Sequence, residues 1–455
     1  MEQAMRYSKN DIDEARKRCD LVIGKNREAL TLEESCDISV LVPVYNESIK
    51  RIDRQISIFS NQKFSKTKFE LVYVVNNPRP DGSLERAEAI QQNSKIIKHL
   101  KKVDRVRVHV VDLSSEDMAL KNSNVGIARN IGLHTLALRY LEQGRDGIVI
   151  HTDADTLPRR SDYLHQVYKE VSDPMCFGAA GGVEFVMDID SYNKADRAFF
   201  RKHIQTFRNF TEWHVLVNAI RIKSLPKTVA SPIRFNGAHM ISKAIAGVLA
   251  GGIPEVGRAE DSLFGDNLER LAEKYGAYIL SRRKEWIMRT AFRESRRTGS
   301  SFGPVFDNIR KHKGKPMVRN ADAPHYFYDY LPKFLLAVRK TVGKKAALSE
   351  LFGDLFNEAD NDVQRAVMNL AKRIPTGVSA SARLRIYDAW KEKNSKTRPD
   401  RIFYAKYKQE FPLVTLTPEL LKALKKEVYK DSARKVFAEE AVEAFAKWKL
   451  PSESK

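Results

Sequence analysis

His151-Thr152-Asp153-Ala154-Asp155-Thr156 follows directly on Gly147-Ile148-Val149-Ile150. The first four residues form a short apolar, β-branched run that reads as a buried strand. Two carboxylates one residue apart, just past the C-terminal end of such a strand, suit a hard divalent cation. Mg²⁺ and Mn²⁺ are commonly held by one or two carboxylates, with substrate phosphates filling the other positions. Taken alone, the motif is also what a plain strand-end turn looks like, because Asp caps and turns the backbone. The surrounding chain decides between the two.

Upstream, Ile38-Ser39-Val40-Leu41-Val42-Pro43-Val44-Tyr45-Asn46-Glu47 is a β-branched run broken by proline, so a strand is expected to end near Val42. A helix over Ile49 to Phe59 and a strand from Phe69 to Val75 follow, the strand running into Asn76-Asn77-Pro78. A charged helix over Leu84 to Leu100 leads to a third strand, Val106 to Val111. Asn124 then opens a helix whose Ile127, Ile131, Leu138 and Leu141 share a face and which Gly144 stops. Strand and helix alternate four times, which predicts a doubly wound, Rossmann-like α/β domain with a mostly parallel sheet flanked by helices. Ligands in such sheets sit beyond the carboxyl ends of the strands. Tyr45, Asn46, Asn76, Asn77, Asp153 and Asp155 all fall there.

The 455 residues suffice for two or three domains; 42% hydrophobic and 30% charged content describe a globular chain. No apolar run approaches the ~20 residues of a spanning helix. Met1 to Lys17 lacks the apolar core of a secretory leader. Cys19, Cys36 and Cys176 have neither metal-site spacing nor disulfide-scaffold density, so a cytoplasmic location is expected. The net charge of +21 favours anionic partners such as nucleotide sugars, nucleic acid or an anionic membrane face. Ile12, Ala15, Cys19, Val22 and Ile23 recur at helical spacing and predict a leading helix within residues 1–36.

Five blocks, in order over residues 38 to about 305, resemble the family-2 nucleotide-sugar glycosyltransferases. They are Leu41-Val42-Pro43-Val44-Tyr45-Asn46-Glu47, Asn124-x-Gly126-x-x-Arg129-Asn130-x-Gly132, Asp153-x-Asp155, Phe235-Asn236-Gly237-Ala238-His239-Met240-Ile241-Ser242, and Ala259-Glu260-Asp261-Ser262-Leu263-Phe264-Gly265-Asp266-Asn267-Leu268. The resemblance implies a GT-A fold over residues 37–328, after an N-terminal helical extension over 1–36 and before a basic helical C-terminal domain over 329–455. It implies divalent-metal-dependent transfer of a hexosyl group from a nucleotide-diphosphate sugar to an acceptor hydroxyl, with inversion. It assigns Asp155, and with it Asp153, to Mn²⁺ or Mg²⁺. Asp261 becomes the general base, beside Glu260 as an orienting group. Pro43, Val44, Tyr45, Glu47, Asn76, Asn124, Arg129 and Asp153 become donor contacts, and Asn236 and Gly237 acceptor contacts. The acceptor itself is open, with anionic and lipid-linked molecules as candidates.

The residue chemistry supports the same roles. A carboxylate within reach of the acceptor hydroxyl is what a general base requires. Glu260-Asp261 also opens a helix, Ser262 to Lys274, where first-turn acids favour the dipole. Arg289 to Gly303 combines arginines, glycines and serines and reads as a basic mobile loop, with Arg296 and Arg297 placed for bidentate phosphate contact. Between Asp188 and Pro232 an insertion carries Phe199, Phe200, Phe207, Phe210 and Trp213 at helical spacing. That aromatic face is expected to pack on the domain, and Trp213 and His214 are the acceptor contacts if it does not.

The departures from the family pattern are specific. Asn76-Asn77 stands where the family has an acidic pair for the nucleobase. No histidine follows the Glu-Asp block before His312, so a third metal ligand is not evident, and His151 and His239 read as structural hydrogen-bonders. No spanning helices follow, which argues against a processive synthase. From Asp329 onward the pattern is helices without strands, one starting at a Thr417 cap with Pro418 at its first position and the last reaching Trp448, with a basic excess beyond its share of length. Two other classes stay open: a sugar nucleotidyltransferase, though the glycine-rich basic loop after its first strand is missing, and an inactive transferase fold that binds nucleic acid or an anionic surface.

Overall fold

The computed structural model describes residues 7–24, 36–66, 68–77, 79–115, 118–119, 123–187, 194–221, 235–255, 260–292, 302–320, 323–324, 326–432, 434–436 and 438–439. In chain order the elements are α1 (Lys9–Ile23), β1 (Ile38–Val44), α2 (Ile49–Ser60), β2 (Phe69–Asn76), α3 (Leu84–Leu100), β3 (Val108–Leu113) and α4 (Val125–Glu142). There follow β4 (Ile148–His151), β5 (Thr156–Pro158), α5 (Tyr163–Val171), β6 (Cys176–Met187), α6 (Lys194–Lys202), α7 (Ile204–Arg221), β7 (Met240–Lys243) and α8 (Ala244–Leu249). The α/β part closes with α9 (Glu260–Tyr275), β8 (Tyr278–Phe292), α10 (Phe302–Lys311) and β9 (Met317–Arg319).

Eight strands form one mixed sheet in the order β3-β2-β1-β4-β7-β6-β8-β5. The first four are mutually parallel, whereas β7 runs antiparallel to both β4 and β6. The sheet is therefore less parallel than expected, because Met240–Lys243 enters beside β4 from the opposite direction. Alternate side chains feed two cores. Leu41 and Val149 face α1, α4, α8 and α9, while Val40, Val42, Ile148 and Ile150 face α2, α3 and α5. With both faces covered, near-continuous apolar strands are the physical requirement.

The boundaries differ in instructive places. β1 runs through Pro43 to Val44. Leu41 O accepts from Thr152 N on the β4 side, and Pro43, two residues on, turns its missing N–H to that same side, where pairing with β4 has ended. β3 is shifted two residues along, in register with β2 out to Asn76, and the Asp112 carboxylate turns the chain by accepting from Ser114 N and Ser115 N. α4 is buried along nearly its whole length, because α1 and α8 cover its outer side. The Ser8–Asp11 capping box starts α1, which docks through Ala15, Cys19 and Ile23.

The aromatic insertion is two helices, α6 and α7, broken at His203. Phe210, Trp213 and Leu216 pack on Val318 and on Leu424 and Val428 of a late helix. Arg289 to Phe292, expected to begin a loop, is the end of β8 and pairs with β5 and β6, and Arg289 forms an ion pair with Glu184. Arg296 and Arg297 lie outside the described residues.

Beyond a π-helical turn at Tyr326–Tyr330, the chain forms α11 (Leu331–Lys340), α12 (Lys345–Phe352), α13 (Asp354–Asn357), α14 (Asn361–Arg373), α15 (Ala380–Lys393), α16 (Asp400–Glu410) and α17 (Pro418–Val428). Their core is aromatic, built on Phe334, Phe352, Trp390 and Phe403, and Leu263 of α9 joins it. The expectation of helices alone needs one correction: β10 (Leu413–Thr415) pairs antiparallel with β9. The end of the last expected helix, near Trp448, lies outside the described residues. No helix among the described residues is long and apolar enough to cross a membrane.

Candidate active site

The carboxyl end of β4 faces the first turn of α9 and the turn Asn236–His239. Arg129, on the first turns of α4, reaches into that space with only 2% of its surface exposed. Its Nη1 donates to Glu260 Oε1 at 2.7 Å, and its Nη2 donates to Asp153 Oδ1 at 2.5 Å and to Gly237 O at 2.6 Å. Gly237 N in turn donates to Asp261 Oδ2 at 2.8 Å, and Ser262 N donates to Asp261 Oδ1 at 2.8 Å. One guanidinium and one glycine thus tie the Asp-x-Asp turn to the Glu-Asp pair. Such charge-assisted bonds to planar arginine are among the strong and directional ones.

The Asp-x-Asp turn is held from below. Gln55 of α2 donates to Asp153 O at 2.8 Å and to Thr156 O at 3.0 Å, with its own Oε1 fixed by the Tyr73 hydroxyl. Thr290 of β8, opposite Thr156 in the ladder, donates to Asp155 Oδ1 at 3.2 Å. Thr152 Oγ1 donates to Ala238 O, pinning the Asn236–His239 turn to the end of β4. Asp153 keeps 39% of its side chain exposed, Asp155 is half-buried, and Asn236 is exposed.

Burial dominates the electrostatics. It pushes the Glu260 carboxyl up to about 7, against the pull of Arg129. It also raises Asp261, whose two backbone bonds oppose it. Burial and then the Arg129 charge lower His151 to about 3; burial lowers His239 to about 4. His151 meets Ser242 Oγ at 3.2 Å, and His239 lies between the Tyr163 hydroxyl and Gly182 O. Both histidines hydrogen-bond within the core.

Not every candidate is in the cleft. Trp213 is 3% exposed and packed among aliphatic side chains, so it has no face left for an acceptor. Val44 is fully buried, backbone included, and has no exposed surface to meet a donor. Asn76 is 4% exposed and donates to Ser123 Oγ, and the fully buried Asn77 accepts from Asn93. Asn124 caps α4 by accepting from Ile127 N. Glu47 is buried beside Arg51, while Pro43 and Tyr45 are half-buried at the end of β1. Asn46 adopts φ 51° there, with its N–H held by Asn93.

Gln55 and Thr290 went unread in the sequence. Gln55 has a signal, a polar residue on the Ile52–Ile56–Phe59 apolar face. Thr290 has none, because only the β5–β8 pairing brings it to Asp155. Among the described residues, no three His, Cys, Asp or Glu side chains group as a metal site.

No protein-family model matches the chain, and no curated protein matches it. Among solved structures, the mannosyltransferase PcManGT from Pyrobaculum calidifontis, in complex with GDP-Man and Mn²⁺, aligns over 95% of both chains at 14% identity with a TM-score of 0.34. S. aureus TarS 1-349, in complex with UDP-GlcNAc, aligns over 90% of both chains at 14% identity with a TM-score of 0.37. Similarity at that level establishes neither a common fold nor a common activity.

Proposed function

We propose that the chain is a glycosyltransferase of the GT-A type that moves a sugar from a nucleotide-diphosphate sugar to an acceptor hydroxyl with inversion. The observation that carries this reading is the joining of Asp153 to Glu260 and Asp261 through Arg129 and Gly237 at the carboxyl ends of the strands. The proposed catalytic unit spans residues 37–328, with the helical extension of 1–36 packed on its flank and the basic helices of 329–455 following it. A cytoplasmic location, peripheral to an anionic membrane face, belongs to the same reading.

Asp261 is the base. It keeps solvent contact while Glu260 is 7% exposed and engaged by Arg129, and its raised proton affinity suits it to take the acceptor proton. Gly237 N and Ser262 N hold its two oxygens, so the carboxylate is aimed before the acceptor arrives. Glu260 orients Arg129, and the exposed Asn236 lies beside the acceptor.

Asp155 fits a hard cation such as Mn²⁺ or Mg²⁺, being an oxygen donor of fixed orientation on a half-exposed turn. Asp153 fits less well, because its Oδ1 is taken by Arg129; it faces the ribose or shares the cation. Such a cation, when bound, offsets the charge of the departing diphosphate.

The test is a melting-temperature and calorimetric screen of UDP, GDP, ADP, CDP and dTDP with and without Mn²⁺. A ligand that binds only the folded chain raises its melting temperature. One diphosphate should stabilise wild type with metal and leave Asp155→Asn unmoved. Silence from all five would overturn the reading.

A further inference from the structure

Two buried polar atoms at the centre of this site lack a hydrogen-bond partner among the described residues: Arg129 Nε and His151 Nδ1. One is an obligatory donor. The other is an acceptor whenever the imidazole proton sits on Nε2, the nitrogen that meets Ser242 Oγ at 3.2 Å. Orphaned polar atoms at full burial are uncommon and call for a physical account.

The fold brings the two side chains together. Val149 faces the α4 and α9 side of the sheet, and His151, two residues along β4, faces the same side. There its ring meets Phe264 edge-on, with centroids 5.8 Å apart. Phe264 stands four residues after Glu260, one turn along the same face of α9. Glu260 grips Arg129 Nη1. Successive turns of α9 therefore touch the guanidinium and the imidazole.

We propose that His151 is the positioning residue for Arg129: its Nδ1 accepts the Arg129 Nε–H through one buried water, since the two atoms do not meet directly. A guanidinium held only at Nη1 and Nη2 can still swing in the plane of its partners. A third bond at Nε fixes that plane, and with it the distance between Asp153 and the Glu260–Asp261 pair. The same role explains why a strand reading Ile-Val-Ile ends in a fully buried histidine rather than another aliphatic residue. The catalytic consequence rests on the glycosyl-transfer reading; the bond itself does not.

The experiment uses the full chain with ¹⁵N-labelled histidine and arginine, as wild type, His151→Asn and His151→Phe. Asn places an acceptor where Nδ1 was, and Phe keeps the ring against Phe264 without one. NMR should find the His151 proton on Nε2, and a slowly exchanging Arg129 Nε–H in wild type and His151→Asn but not in His151→Phe. A proton on Nδ1, or an Arg129 Nε–H signal unchanged in His151→Phe, overturns the proposal. With the donor identified by the diphosphate screen, His151→Phe should lose about tenfold to a hundredfold in kcat, the usual cost of removing a group that orients a site residue. Its donor Kd should hold, and His151→Asn should stay within about threefold of wild type by the same reasoning. Equal kcat losses in Asn and Phe would mark a packing role only and overturn it. If wild type uses no donor, the transfer reading falls and the NMR arm still decides the bond.

Discussion

Arg129 and Glu260 are 131 residues apart in sequence and meet at 2.7 Å with both side chains buried. Paired burial of this kind is costly to break, because removing one partner strands the other without water. Arg129→Met should therefore destabilise the chain by about 3–5 kcal/mol in urea unfolding. Most of that loss falls on Glu260, since Asp153 keeps 39% exposure and can resolvate. Arg129→Lys should recover only part, because one ammonium cannot span Glu260, Asp153 and Gly237 O together. An unchanged midpoint for Arg129→Met would mean the three groups are held by something else.

The same burial makes stability depend on pH. Glu260 is raised from 4.5 to about 7, so between those values the folded chain keeps a proton that the unfolded chain has released. Its contribution is full below pH 4.5 and is lost as pH rises through 7. Asp261 is shifted the same way and titrates with it as a pair. The urea midpoint of Glu260→Gln should fall less steeply than that of wild type over this window. Parallel curves for the two proteins would assign the slope to other groups.

Chemistry and binding should separate at the two ends of the network. Asp261→Asn keeps the size of the side chain and one of its two backbone bonds but cannot take a proton, so donor binding should persist while turnover drops by about 10²–10⁴-fold. Thr290→Val, which removes the bond to Asp155 Oδ1, should do the reverse. Its metal-dependent donor affinity should weaken about tenfold or more while the metal-free affinity stays put. Comparable turnover for Asp261→Asn and wild type would remove it as the base.

A second buried ion pair offers a control at the amino end of the strands, opposite the site. Glu70, fully buried at the start of β2, pairs with Arg139 and accepts from Ser39. Burial raises its carboxyl, but bonds from His109 and Arg139 outweigh that and hold it below its ordinary value. Stability from Glu70 is present above pH 4.5 and is lost as pH falls through its folded value. Glu70→Gln should cost about 3–5 kcal/mol and flatten the acid limb, yet leave the donor KM unchanged. A shifted KM would mean the two ends of the strands communicate.

The legible part of this molecule was the part written in local order. The β-branched runs, the Asn124 and Thr417 caps and the Gly144 stop each depend on a few neighbours, and each forms as its residues require. Pro43 misled because its tolerance depends on where β4 stops pairing, which the local sequence does not state. Trp213 packs as its aromatic face required, but the partner that covers it, Leu424, lies 211 residues on and was not legible locally. At the site, the motif blocks marked Asp153, Asp155, Glu260 and Asp261. They did not show that Arg129 binds protein carboxylates, or that Thr290 and Gln55 hold the turn.

Gly237 gives the most specific test of that wiring. A Cβ added there would lie 2.7 Å from Arg129 Nη1 and 3.1 Å from Nη2, inside normal contact distance. The glycine needs no unusual φ for its own sake, so the requirement is room for the guanidinium. Gly237→Ala must move either Arg129 or the Asn236–His239 turn. The first shift loosens the Arg129 bond to Asp153, and the second loosens the Gly237 N bond to Asp261. Turnover should fall by about tenfold or more, the scale for a displaced orienting group, with a loss of roughly 1–3 kcal/mol in stability from overpacking. Its stability loss and that of Arg129→Met should not add in the double variant, because once the guanidinium is gone the methyl group has space. Full additivity would show that the alanine acts on the turn alone, with Arg129 undisturbed.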